Sequence, residues 1–232
     1  MCPPRLADIA ARVSSLYRLD ATASQIAAAM EGEAGRDPWQ GDYLAPGKFA
    51  PVIVRHQKAG ARIMRPMHWG YPPPGWNIEG GMEVGARPRW VSHVRNLTSP
   101  FWIGNLRHTE LRCLVPATSF QGWGPPISDA DRASGKRRVQ SWNGVPSQGV
   151  FAFAGIWRDL TDMPVFAILS CDSGGVRGDN GTPSMPVILH PEDHDVWLRA
   201  DWQDAQRVLE AFPAEMVAEA VPPKSAPPIK KD

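Results

Sequence analysis

Apolar positions along the chain follow two periods, and the two occupy different stretches. Apolar or alternating runs of strand length fill the middle: PVIV at 51–54, ARIMRPMHWG at 61–70, RCLVPATSF at 112–120, VFAFAGIW at 150–157, PVFAILSC at 164–171 and MPVILH at 185–190. Segments rich in Gly and Pro separate them, as turns between strands require. Helical spacing is confined to regions near the two ends. TASQIAAAM at 22–30 predicts a short helix with Thr22 as N-cap and Gln25 three residues later, the pattern of a capping box. ADIAARVSSLY at 7–17 is helix-compatible, and PEDHDVWLRADWQDAQRVLEAF at 191–212 opens on acidic residues and predicts one helix or two short ones. Strands are not regularly interleaved with helices and no internal repeat is visible, so the expected class is α+β with mostly antiparallel sheets.

Composition narrows the picture. The chain has 232 residues, 43% hydrophobic and 21% charged, which suits one globular domain with tails. We expect an N-terminal extension over 1–13, a domain over 14–210, and a flexible Pro-rich basic tail over 211–232. The formal charge is +1, so a nucleic-acid partner would need a local patch of Arg and Lys. Twenty-four Pro imply long extended segments, and ten Trp supply rigid surface for a core or for stacking bases. Cys2, Cys113 and Cys171 have no metal-ligand spacing and suggest no disulfide framework. No metal and no cofactor is therefore expected. Cys113 and Cys171 sit in apolar runs and read as inert core residues. With neither a leader pattern nor an apolar run of about 20 residues, a cytoplasmic monomer with no membrane partner is expected.

Cys2 carries the sharpest chemical possibility. If Met1 were removed, an α-amine of pKa about 8 would stand beside a thiol of pKa about 8.5, a 1,2-aminothiol that can capture aldehydes. The amine adds to the carbonyl and the thiol closes a thiazolidine ring. The plain alternative is an ordinary second residue.

Five stretches in order resemble the SOS response-associated peptidase (SRAP) family, whose members process abasic sites: RPMHWGYPPPGW at 65–76, HVRNLTSPFW at 93–102, RCLVPATSFQGW at 112–123, FAFAGIW at 151–157 and MPVILHPEDHDVWL at 185–198. The resemblance covers roughly residues 13–205. It implies a barrel-like, mostly antiparallel core with peripheral helices. It also implies binding of single-stranded DNA at abasic sites, removal of Met1, and a thiazolidine crosslink from Cys2, with lyase activity through a Schiff base in some members.

Carried over residue by residue, the resemblance implies catalytic roles for Cys2, His93 and Arg95, and DNA contacts from Arg65, Trp69, Arg95 and Asn96. Arg95 would hold a phosphate through its guanidinium fork. His93 stands where the family has Asn, either at the chemistry or as a strand-surface imidazole. Aligned through SLYRLDATASQIA at 15–27, the nucleophile's place falls on Ser14, which puts Cys2 on an extension. The family's Glu falls on Gly122, beside Gln121, and its His on Thr182 or Gly181, so acid–base groups are missing there. His190 and His194 are expected at a helix start. Trp69, beside His68, is balanced between base stacking and the core. Arg62, Arg65, Arg87 and Arg89 could form a positive strip or a solvated face. Two rivals remain open: a degenerate member that binds DNA without covalent chemistry, and a Trp/Pro-rich module that binds protein.

Overall fold

Two long hairpins organise the chain. In the computed structural model, which describes residues 16–36, 39–56, 60–73, 90–123, 128, 130, 133–134, 140–160, 163–172, 185–213 and 218–219, β4 (Phe49–Arg55) pairs antiparallel with β5 (Arg62–Trp69) from Phe49↔His68 to Arg55↔Arg62. The second hairpin joins β10 (Phe151–Leu160) to β11 (Met163–Cys171). β7 (Arg112–Ala117) bridges β4 and β10, and a parallel contact of β11 with β5, at Val165↔His68 and Phe166↔Trp69, closes a five-stranded mixed barrel. The short strands β2 (Gly32–Glu33), β6 (His93–Val94), β12 (Met185–Pro186) and β13 (Ile188–Leu189) extend this sheet.

Directly paired residues share a face. The pairs Val54↔Ile63, Val54↔Cys113, Cys113↔Gly155 and Gly155↔Ile168 therefore place one ring of side chains on the inner wall. A Cβ added at Gly155 would stand 2.8 Å from both Cys113 Sγ and Val115 Cγ2, so glycine here keeps two strands packed. Cys113 is fully buried, which pushes its thiol pKa well up, and Cys171 is raised to about 11, chiefly by burial. Cys113 is the core cysteine expected, whereas Cys171 is only partly buried at the edge of the core.

A second sheet runs in the order β14 (Ala218–Glu219), β9 (Gln140–Gly144), β8 (Ser119–Trp123), β1 (Tyr17–Leu19), β3 (Asp42–Leu44). The apolar run at 112–120 divides between the sheets at Thr118, whose N–H donates to Arg18 O and whose Oγ1 accepts the Asp20 N–H. Tyr17 lies in β1, so a helix ending there is corrected. Buried Tyr17 and Leu19 flank the half-buried Arg18, an alternation that strand pairing rewards.

The helix α1 (Ala23–Ala29) forms with the expected reciprocal Thr22–Gln25 capping box. The segment 191–212 contains two short helices, α3 (His194–Arg199) and α4 (Trp202–Ala205), because Asp201 caps the second on the Asp204 N–H. α2 (Pro100–Arg107) was not anticipated, although Ser99 followed by Pro100 is a start signal and the Ser99 Oγ accepts the Phe101 N–H. Arg112, fully buried against Trp197, donates to the carbonyls of Leu106, Trp197 and Ala200 at 2.8–3.0 Å. It thus ties helix ends to the barrel while burial lowers its pKa to about 10, still cationic at neutral pH. Beyond residue 210, Phe212 is buried against His190, with ring centroids 4.5 Å apart, and Ala218–Glu219 pairs with β9. Among the described residues no helix is long and apolar enough to cross a membrane.

Candidate functional site

β1 passes over one end of the barrel and leaves a crevice walled by Leu16, Tyr17, Trp69, His93, Phe120, Phe153, Ile168 and Pro186. It encloses about 160 Å³ of empty space, none of it wide enough for a water molecule. Leu16, the first described residue, is held there because its carbonyl accepts the Gln121 N–H at 2.9 Å. The sequence had not singled out Leu16 or Tyr17. The Tyr17/Leu19 alternation was the signal that could have placed them on a barrel-facing strand.

His93 reaches the crevice because β6 pairs with β11 at Ile168↔His93. Its Nδ1 lies 3.0 Å from Ser92 Oγ, while its Nε2 is buried with no hydrogen-bond partner. Burial, reinforced by the nearby Arg95 charge, lowers its pKa to about 3, so the ring is neutral at physiological pH. The Tyr17 hydroxyl is also buried without a partner, and burial raises its pKa well above 10. Two unsatisfied neutral polar groups therefore belong to the same apolar crevice, each carrying a desolvation cost that a ligand atom could relieve.

Trp69 takes the core alternative. It is 1% exposed, stacks on Phe166 at 6.2 Å, meets Tyr17 and His93 edge-on, and donates its indole N–H to Ser92 O at 3.0 Å. That leaves no face for an incoming base. Its role is to hold the strand that carries His93. Arg95 is half-buried just after that strand, forms no ion pair among the described residues, and its charge adds to the lowering of the His93 pKa. Asn96 turns its Oδ1 to the Thr98 N–H and hydroxyl at 3.0 and 2.8 Å, which fixes the turn into α2.

Arg65 is not brought to this crevice. It lies four residues before Trp69, about 13 Å along an extended strand, and contacts Asp159 and Trp157 instead. Arg62 belongs to no exposed strip. It is 7% exposed and binds Met30 O and Asp195 at 2.9 Å. His68 is also buried, next to Phe49 and Trp90, and burial lowers its pKa. His194 lies in the first turn of α3 as expected and is buried; burial and then Arg62 lower its pKa to about 4. Gly122 supplies no side chain where a carboxylate would serve acid–base chemistry, and neighbouring Gln121 is buried. Cys2, Ser14, Arg87, Arg89, Gly181 and Thr182 lie outside the described residues. Among the described residues, no three His, Cys, Asp or Glu side chains are grouped so as to hold a metal ion.

A model of the family described as SOS response associated peptidase (SRAP) matches residues 12–225. Among proteins of curated function, none matches. Among solved structures, a protein from Bacteroides thetaiotaomicron is similar with a TM-score of 0.68 and 18% identity, over 90% of this chain and 92% of that one. A protein from Bordetella bronchiseptica gives 0.67 and 17%, over 89% and 98%. A phage-related protein from the same organism gives 0.65 and 17%, over 89% and 92%. At these identities the structural likeness concerns the fold.

Proposed function

The chain belongs to the SOS response associated peptidase family, which supports a role in the DNA damage response, and on that premise we propose that it binds single-stranded DNA at abasic sites. The observation that carries this reading is the pair of buried, unpartnered groups at the crevice, His93 Nε2 and the Tyr17 hydroxyl. A crevice this narrow has no room for a base. As it stands it admits no water molecule either, so the side chains at its mouth must shift before a ring-opened baseless sugar, with its small polar carbonyl end, reaches these two groups. A baseless nucleotide also costs little to turn out of the strand, since it has no base to unstack. Arg95, beside His93, supplies a cation for the adjacent phosphate.

Covalent capture by Cys2 is the further step of this proposal, and the position of Leu16 favours it. From Leu16 back to Cys2 is fourteen residues, a reach of at most about 50 Å when extended, so the chain is long enough to return its start to the crevice. After removal of Met1, the Cys2 amine adds to the C1′ aldehyde and one water leaves as the imine forms. The Cys2 sulfur then adds to the imine carbon, its proton passes to nitrogen, and a thiazolidine results. His93 is neutral and Gly122 has no side chain, so these positions supply no charged acid to the step. The amine and water must then carry the protons, at a cost of about 10²–10⁴-fold in rate relative to positioned acid–base groups.

Intact mass spectrometry of the full chain, before and after incubation with an abasic oligonucleotide, tests the covalent step. Loss of Met1 and a gain equal to the DNA strand less one water support it. Retained Met1 excludes it. A mobility shift of the abasic strand without a mass adduct supports binding alone, and no shift with no adduct refutes the proposal.

A further inference from the structure

The opposite end of the barrel holds a separate cavity of about 390 Å³. Strand register explains how it arises. Val54↔Ile63, Val52↔Arg65 and Trp157↔Phe166 are direct pairs on the inner wall, so Val54, Ile63, Arg65 and Trp157 point into the mouth there. His56 and Asp159, two residues beyond Val54 and Trp157, complete the lining, with Arg55 at the rim. One large aromatic, two aliphatic side chains and a guanidinium therefore converge on one concavity.

Two features show unused hydrogen-bonding capacity. Trp157 is 9% exposed and its indole Nε1–H is buried with no partner. Arg65 lies over the Trp157 ring at 5.1 Å and touches Asp159 through a single 3.4 Å contact. A well-formed guanidinium–carboxylate pair is shorter, about 2.7–2.9 Å, and frequently bidentate. Within this molecule Arg18–Asp20 and Arg62–Asp195 reach 2.7 and 2.9 Å. Arg65 thus keeps donors to spare at the cavity, over an apolar floor formed by Val54, Ile63 and the Trp157 ring.

We infer that this mouth is a binding site for a small organic anion whose carboxylate or phosphate is held by Arg65, with its apolar body on Val54, Ile63 and the Trp157 ring, whose indole signal reports on occupancy. Asp159 competes with the ligand for Arg65 and so sets its affinity. The site is separate from the crevice around His93 and does not depend on the reading of that crevice.

The test uses the full chain labelled with ¹⁵N, following its ten tryptophan indole resonances. The Trp157 signal is assigned from W157F. Sodium benzoate, a deoxynucleoside monophosphate and a short single-stranded oligonucleotide are the probes. Saturable movement of the Trp157 resonance with benzoate or the monophosphate supports the site. Arg65→Met should then weaken binding at least about tenfold, as loss of a charge-assisted bond implies, while the other indole signals report an intact fold. Asp159→Asn should tighten it several-fold. No movement with any probe, the same affinity in R65M, or movement with the oligonucleotide alone would each overturn the inference.

Discussion

Replacing His93 with Asn should flatten the acid dependence of stability. His93 and His194 have folded pKa values of about 3 and about 4, against about 6.5 in an unfolded chain. Because both are depressed bases, the unfolded state binds more protons between those limits. Their contribution is fully present above pH 6.5 and is lost as the pH falls toward 3–4. At pH 5.0, 1.5 units below the unfolded value, each imidazole costs about 2 kcal/mol relative to neutral pH, roughly 4 kcal/mol together. Depressed His68 acts in the same direction. Against a total stability of about 5–15 kcal/mol this is a large share. Asp195 and Glu110, whose pKa values are lowered, contribute mainly below pH 4.5, so the interval from 7.5 to 5.0 isolates the histidines. Urea unfolding followed by tryptophan fluorescence measures the effect, provided that the m-value stays constant. His93→Asn should recover about 2 kcal/mol of the drop between pH 7.5 and 5.0. An undiminished drop would mean that the His93 ring titrates normally, and the buried neutral imidazole at the crevice would be wrong.

Other perturbations probe the frame and the strand contact. Arg112→Met strands three helix-end carbonyls and should cost at least about 3 kcal/mol in thermal or urea unfolding; a loss below 1 kcal/mol would contradict its anchoring role. Gly155→Ala forces a methyl within 2.8 Å of Cys113 Sγ and Val115. It should destabilise by about 1–3 kcal/mol, and adding Cys113→Ala should relieve part of that loss; strict additivity would refute the clash. If Arg95 neutralises one phosphate, Arg95→Ala should lower the slope of log affinity against log salt by about 0.7 for single-stranded DNA. An unchanged slope would remove Arg95 from the contact. A wild-type affinity insensitive to salt would favour the protein-binding rival.

Much of the barrel was legible because its strands are locally written: 51–54, 61–70, 150–157 and 164–171 each fall within β4, β5, β10 or β11 to within a residue or so. Closure was not. The β5–β11 contact is parallel and joins residues about a hundred positions apart, and no local pattern encodes such a pairing. Trp69 shows the same limit at the site. The motif located it, but whether its ring faces a base or the core depends on Tyr17 and Phe166, which other strands bring to it. His93 was recognisable by its place beside Arg95, whereas its neutrality comes from burial that only the assembled sheets create. Arg65 and Arg62 were grouped as surface cations because charge is visible in sequence and register is not. Register sends Arg65 into the barrel mouth and turns Arg62 toward Asp195.

Fluorescence anisotropy with two single-stranded oligonucleotides, identical except for one central reduced abasic residue that cannot form an imine, isolates recognition from covalent capture. The account predicts tighter binding to the abasic strand, with the preference lost in a Tyr17→Phe, His93→Ala double variant that still unfolds cooperatively. Equal affinity for both strands, or a preference that survives the double substitution, would contradict it.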